Sequence, residues 1–477
     1  MEGARMTTRV FNTATRSLEL VIPRPEQGNL LSLYTCGPTV YANAHIGNFR
    51  AYVFEDLLQR HLTHQGFEIR RVMNLTDVDD KTIRGAHAAG ITLGEYTRPF
   101  KEAFFEDAKM LRLLPAHAYP AATDPEQIRR MITMIEILTE RGHAYRADDG
   151  SVYFRISSFP AYGKLARVDL DEQRPGLRSN KRISSDEYDK EAVADFALWK
   201  AWVPEDGAVG WESPWGKGRP GWHIECSAMA TGLLGETIDI HCGGVDNIFP
   251  HHEAEIAQCE CAGHGQAPFV RYWMHCAHLM VEGSKMAKSA GNFFTLRDLL
   301  GQGWSGREVR HALLAVHYRS SLNFTSEGLA ASRTALARLD AWRERLAETA
   351  ASAVASEAPE SSTEGFFSAL DDDLNISGAL AVLFETLRES NRKMDSGKLT
   401  DSQARGLLSW LERVDSVLAL QPEESARIPI EIERLASERV AARASKEWRK
   451  SDDLRDQLAS LGWTVKDTKE GQKLIRG

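Results

Sequence analysis

An α/β fold built on a parallel sheet and continued by a helical bundle is the architecture this sequence predicts. A short apolar run, Leu30–Tyr34, leads into the turn residues Cys36-Gly37-Pro38-Thr39. Phe49–His64 then carries Val53, Phe54, Leu57 and Leu58 at helical spacing. Strand, glycine-containing loop and helix in that order open a Rossmann-type nucleotide-binding unit. Past residue 305 the periodicity turns wholly helical.

Gly66 stands where the residue after a helix end belongs, and a second strand, Glu68–Leu75, follows it. From about 118 to 215 the text is rich in charge, turns and aromatics (Tyr145, Tyr153, Phe154, Trp199 and Trp211 among them) and reads as an insertion. A further α/β stretch runs from about 222 to 300 and includes Thr237–Phe249. Ser305–Tyr318 and Leu329–Thr349 are helical, and Ala350–Glu364 is a linker candidate. Helices over 366–394 and 400–419 complete a bundle. Pro422 and Pro429 mark a boundary, beyond which Ile430–Leu461 reads as one helix and Trp463–Gly477 as a hairpin or extended end. The resulting division is 1–117, 118–215, 216–304, 305–421 and 422–477, with the first and third pieces forming one α/β domain.

The 477 residues, 43% hydrophobic and 26% charged, describe a globular chain of several domains. No run approaches the roughly 18 apolar residues that span a bilayer. Met1–Arg16 lacks the apolar core of a secretion signal, so the expectation is a cytoplasmic protein with reduced cysteines and no membrane partner. A net charge of −9 argues against non-specific coating of nucleic acid. From Ile428 to Gly477, however, eleven Lys/Arg face nine Asp/Glu, a local balance of +2.

Between the first strand and first helix lies Pro38-Thr39-Val40-Tyr41-Ala42-Asn43-Ala44-His45-Ile46-Gly47-Asn48. Backbone N–H groups and the helix dipole converge there on a phosphate position. His45 suits a developing charge on an α-phosphate, and Gly47 leaves room for close approach. Far downstream, Lys285-Met286-Ala287-Lys288-Ser289 places two lysines between Gly283 and Gly291, suited to a polyphosphate. With both signatures in this order, the chain resembles the class I aminoacyl-tRNA synthetases, whose signatures are His-Ile-Gly-His and Lys-Met-Ser-Lys-Ser. Asn48 stands in place of the second histidine and Ala287 in place of the serine. Both departures bear on rate more than on reaction type.

Cys36, Cys226, His251, His252, Glu253 and Glu255 are candidate metal ligands. A helix beginning at Pro250 would put His251 and Glu255 on one face and turn His252 and Glu253 elsewhere. Within the class I enzymes, Tyr34-Thr35-Cys36-Gly37, Gly221–Met229 and Asp239-Ile240-His241 through Gln258 closely resemble cysteinyl-tRNA synthetases, from Phe11-Asn12-Thr13 to the basic end. The resemblance implies one Zn²⁺ on Cys36, Cys226, His251 and Glu255, and it leaves Cys242, Cys259, Cys261 and Cys276 structural. Two thiolates, an imidazole and a carboxylate suit tetrahedral zinc.

The resemblance further implies activation of L-cysteine by ATP and transfer to tRNA(Cys). His45, Asn48, Lys285 and Lys288 would be catalytic. Thr39, Gly47, His241, Gly243 and Asp246 would join them around ATP, and Cys36, Gly37, Thr76 and Trp222 would line the cysteine pocket. Mg²⁺ would accompany ATP, and the chain would act as a monomer. The basic end, with Arg439, Arg443, Lys446, Trp448, Arg449 and Lys450 on one helix, would meet the anticodon; Trp448 would either stack a base or sit in the core. A ligase acting on an amino sugar is the nearest rival, and the helical part after about 330 favours tRNA. A zinc hydrolase is disfavoured because the spacing is not His-Glu-x-x-His.

Overall fold

The computed structural model describes residues 7–168, 195–263, 268–286, 292–350, 360–422, 430–468 and 471–476. The chain separates into two compact units, Met1–Leu420 and Gln421–Gly477.

The first unit opens with a hairpin, β1 (Arg9–Asn12) and β2 (Ser17–Leu20), ahead of β3 (Leu30–Thr35). Then come α1 (Ile46–His64), β4 (Glu68–Met73), α2 (Asp80–Ala89) and α3 (Leu93–Met110). The second strand stops at Met73, short of the expected Leu75, which makes an isolated bridge to Ala121 instead. Helix α4 (Pro125–Glu140) is followed by β5 (Ala144–Arg146), β6 (Val152–Phe154), β7 (Phe196–Ala201) and β8 (Gly218–Pro220). Helix α5 (Trp222–Leu234), β9 (Ile238–Gly244), α6 (Glu253–Ala262) and β10 (Val270–Cys276) return the chain to the central sheet.

That sheet has the order β10-β9-β3-β4 and is parallel throughout. Its strands are covered on both faces, with Leu31, Leu33, Ile240 and Met274 fully buried. This is why they read as continuous apolar runs rather than as alternating ones. The chain winds from β3 toward β4 on one side and from β9 toward β10 on the other. The winding therefore reverses between β3 and β9, and open α/β sheets bind ligands outside the carboxyl ends of the strands at such a point.

Strands β5 to β8 form an antiparallel sheet. It shares its core with its neighbours: Ile128, Met131, Phe154 and Phe196 pack with Ile224 and Ala228 of α5 and Ala254 and Ala257 of α6. The region expected as an insertion thus braces two helices of the catalytic face.

Next come β11 (Leu279–Val281), β12 (Ser284–Lys285), α7 (Leu296–Gly301), α8 (Gly306–Leu314) and β13 (Leu322–Phe324). Helices α9 (Ser326–Thr349), α10 (Glu360–Asp371), α11 (Ile376–Asp395) and α12 (Asp401–Leu418) complete the unit. The helix expected over 366–394 is divided, because Asp373 and Leu374 take positive φ values of 57° and 54°. Residues 351–359 of the expected linker lie outside the described residues, and Glu360 onward is helical. Fully buried Arg310 ties α8 to α1 through Asp56 and to α12 through the Leu418 carbonyl. Asp56 also accepts from Arg60 and the Leu114 amide, so this buried pair is satisfied on both sides.

The second unit contains α13 (Ile430–Ala444), α14 (Trp448–Ser460) and the hairpin β14 (Trp463–Thr468) with β15 (Gly471–Arg476). Ile432, Leu435, Leu454, Leu458 and Trp463 form its core. The single helix expected over Ile430–Leu461 breaks before Trp448, with Lys446 at φ 59°. Arg439 is fully buried and donates to Gln472 Oε1 at 2.8 Å, which withdraws it from the cations expected to face RNA. Arg443, Lys446, Arg449 and Lys450 are exposed. Trp448 is 58% exposed, so it is no core residue. Among the described residues no helix is long and apolar enough to cross a membrane.

Candidate active site and metal centre

A cavity of about 700 Å³ opens at the switch point between β3 and β9. The loop from β3 to α1 contributes Cys36, Gly37, Thr39, His45, Gly47 and Asn48 to its wall. Trp222 enters from α5, and Gly243 and Asp246 from the end of β9. At Gly37 only a hydrogen fits, since a Cβ there would stand 1.7 Å from the Asn74 carbonyl oxygen. Its amide donates to Asn74 Oδ1 at 2.9 Å, which fixes the loop directly after Cys36.

His45 is the N-cap of α1, and its Nδ1 accepts from the Asn48 amide at 3.2 Å. Asn48 Oδ1 accepts in return from the His45 amide at 3.1 Å. This reciprocal capping box gives Asn48 a local role that an imidazole would not fill in the same way. The Ile46 amide donates to the Phe294 carbonyl at 3.0 Å, and Phe293 stands edge-on to the His45 ring. Lys285 ends β12, but its side chain, like Lys288, lies outside the described residues.

Four ligand-type side chains meet on the Cys36 side. One ligand atom each from Cys36, Cys226, His251 and Glu255 lies within 4.8 Å of all the others, with Cys226, His251 and Glu255 buried. They come from the β3–α1 loop, the second turn of α5, the wide turn before α6, and α6 itself. The helix expected to begin at Pro250 starts at Glu253, after a wider turn over Ile248–His252 in which Phe249 is extended (φ −135°, ψ 133°). His251 and Glu255 still meet, with Nε2 3.0 Å from Oε1. That oxygen has no aligned hydrogen bond, as suits two atoms that share a metal rather than a proton.

Glu253 does turn away, accepting from the Gly163 and Ala166 amides. His252 does not. Its Nε2 lies 3.4 Å from Cys36 Sγ, and Cys36, His241, His252 and Glu255 form a second, overlapping group of ligand atoms. Gly243 allows this approach, since a Cβ there would stand 2.8 Å from the His252 ring. His241, expected beside adenosine, is fully buried, and its Nε2 lies 2.9 Å from Glu255 Oε2. It is not among the residues that line the cavity. Thr76 is also buried rather than exposed to the cavity, donating to Glu225 Oε2 at 2.9 Å. Trp222 stacks on His251, with ring centroids 4.4 Å apart.

Without a metal, the groups of the cluster shift one another's titration. A hydrogen bond from Cys36 brings the Cys226 thiol down to about 6, while that bond and burial push Cys36 well up. Burial opposes charge on Glu255, but His241 and His251 outweigh it and hold the carboxylate at about 2. Burial likewise opposes charge on His251, yet Glu255 and Cys226 lift it to about 10. Burial, then the neighbouring imidazoles, keep His252 well below the ordinary range and so neutral. Sequence reasoning missed Glu225, His252 as a neighbour of Cys36, and His275. The one available signal for His275 was a histidine inside the buried run Val270–Cys276.

Comparison with known proteins agrees with this geometry. Residues 23–334 match the family described as tRNA synthetases class I (C) catalytic domain. A Cysteine--tRNA ligase from Chlamydia abortus is 50% identical over 98% of this chain and 98% of its own length.

The chain belongs to the cysteine–tRNA ligase family.

A second member, from Protochlamydia amoebophila, is 48% identical over 98% of this chain and 97% of its own. Residues 365–421 match the DALR domain, and 425–474 the cysteinyl-tRNA ligase anticodon binding domain. The fold extends further: Mycobacterium tuberculosis methionyl-tRNA synthetase, solved with methionyl-adenylate, superposes with a TM-score of 0.61 at 16% identity, covering 82% of this chain and 89% of that one. As a member of this ligase family, the chain is an enzyme that couples cysteine to tRNA(Cys) using ATP.

Proposed function

We propose that Cys36, Cys226, His251 and Glu255 hold one zinc ion, whose chemistry is to take the substrate thiol as a thiolate. The carrying observation is the convergence of these four ligand atoms at Cys36, which lines the same cavity as His45. Cysteine and serine differ by one atom, and a pocket shaped by packing separates near-isosteres poorly. Metal softness separates them, because a coordinated thiol loses its proton near neutral pH and a hydroxyl gains far less. On this reading the enzyme selects at the binding step, and residues 118–215 serve as a brace without hydrolytic function.

Trp222 and Gly37 would bound the cysteine, while Thr76, through Glu225, shapes the pocket from behind. The cysteine carboxylate then attacks the α-phosphate of ATP, with Mg²⁺ bound to the nucleotide. His45 faces the developing phosphate charge from the end of α1, and Asn48 holds its ring by the capping box. Gly47 and Thr39 shape the phosphate approach, Gly243 and Asp246 the adenosine side, and Lys285 and Lys288 meet the leaving pyrophosphate. Preorganised donors of this kind supply most of the acceleration in such transfers. The tRNA 3′ end then takes the cysteinyl group, while exposed Trp448, Arg443, Lys446, Arg449 and Lys450 meet the anticodon. The chain is read as a cytoplasmic monomer with the division 1–117, 118–215, 216–304, 305–421 and 422–477.

Replacing Cys226 with Ser tests the reading. Metal analysis should find no zinc, and calorimetry should find cysteine binding lost while ATP binding persists. A C226S protein with stoichiometric zinc and unchanged cysteine affinity would overturn it.

A further inference from the structure

We propose that the Thr13 hydroxyl is a positioning group, setting the direction of a chain of hydrogen bonds that runs through two histidines and ends on Cys36. The proposal rests on the zinc reading above. Thr13 Oγ1 lies 2.7 Å from His275 Nδ1, His275 Nε2 lies 2.8 Å from His252 Nδ1, and His252 Nε2 lies 3.4 Å from Cys36 Sγ. Thr13, His275 and His252 are 4%, 4% and 0% exposed, so solvent does not complete their bonding.

The 2.8 Å contact between the two rings needs a donor nitrogen on one and an acceptor nitrogen on the other. Both rings are buried, where an added charge is costly, so each carries one N–H, accepting on one nitrogen and donating from the other. Two uniform arrangements satisfy the chain. In one, a protonated Cys36 donates to His252, and the protons point outward to the Thr13 oxygen. In the other, the Thr13 O–H donates to His275 Nδ1, His275 Nε2–H donates to His252 Nδ1, and His252 Nε2–H donates to the Cys36 sulfur.

A metal-bound cysteine is a thiolate and has no proton to give. Cys36 as a ligand therefore selects the second arrangement, and that arrangement begins at Thr13. The threonine hydroxyl has a rotatable proton and can serve either direction, so it supplies what two neutral imidazoles cannot supply to each other. The donated N–H stabilises the thiolate and fixes the His252 tautomer, as outer partners of metal ligands do.

The position of Thr13 is itself held tightly. Its amide donates to the Trp273 carbonyl at 2.8 Å, and the neighbouring Asn12 side chain donates to the Arg271 carbonyl and accepts from the Trp273 amide. The turn after β1 is thus pinned along β10, which carries His275. The function described above leaves this N-terminal stretch without a task, and the chain gives it one.

The test compares Thr13→Val, which keeps the shape and loses the hydroxyl, with Thr13→Ser, which keeps the hydroxyl. Zinc affinity is measured by competition with a chromophoric chelator, and the cobalt-substituted enzymes are compared by their thiolate-to-metal charge-transfer bands. T13V should bind zinc about 10- to 100-fold more weakly and shift the cobalt band, whereas T13S should match the unaltered enzyme in both. T13V with unaltered affinity and spectrum overturns the proposal, as do equal losses in T13V and T13S, which would mark a packing role. C226S in the same titration separates the two levels. If it has lost zinc while T13V is unaltered, only the Thr13 chain fails. If C226S retains zinc, the ligand reading fails and the chain falls with it.

Discussion

Three segments far apart in the sequence supply the cluster around Cys36, whereas one continuous turn and helix start supply the side around His45. In the cluster, Cys226, His251, His252 and Glu255 are at most 2% exposed, and His223, His241 and His275 hold His251, Glu255 and His252 from elsewhere in the fold. Around His45 the capping bonds are local, with donor and acceptor three positions apart, and His45, Gly47 and Asn48 are only half-buried. The first arrangement can discriminate because its ligand atoms are held in place before any substrate arrives. The second needs only to present donors at a helix end to a ligand that brings its own charge. On the proposed reading, selection and activation are thus separable.

That separation makes the two halves independently breakable. The largest effect is expected for His45→Ala, which should lower the kcat of cysteine-dependent pyrophosphate exchange by about 10²- to 10³-fold. Zinc content and cysteine affinity should be unchanged in that protein, the reverse of the C226S pattern. Loss of zinc from H45A, checked by metal analysis, would show the halves to be coupled. A smaller effect is expected for Asn48→Ala, which removes one half of the capping box. Denaturant unfolding should show a loss of about 1 kcal/mol, with a modest fall in kcat. An N48A enzyme as slow as H45A would mean that Asn48 itself meets the phosphate.

The same contrast explains what the sequence made legible. The strand, loop and helix from Leu30 to His64 could be read because apolar spacing and turn residues are local signals, and α1 extends only from Ile46, three residues before the expected start. The identities of Cys36, Cys226, His251 and Glu255 came from a family resemblance, since nothing in their spacing says that four elements converge. His252 was misjudged because an ideal helix was assumed from Pro250, whereas Ile248–His252 form a wider turn ahead of the helix. The burial of His241 was not legible for a related reason: strand position alone does not say which side chains line the cavity. The break before Trp448 and the burial of Arg439 were likewise invisible, since the helical pattern runs through both.

The central claim, that the metal reads the substrate thiol, is tested most directly by X-ray absorption at the zinc edge with and without cysteine. Adding cysteine should raise the sulfur scatterers from two to three at about 2.3 Å, while serine leaves the spectrum unchanged. A zinc shell that is the same with cysteine as without it would contradict the account.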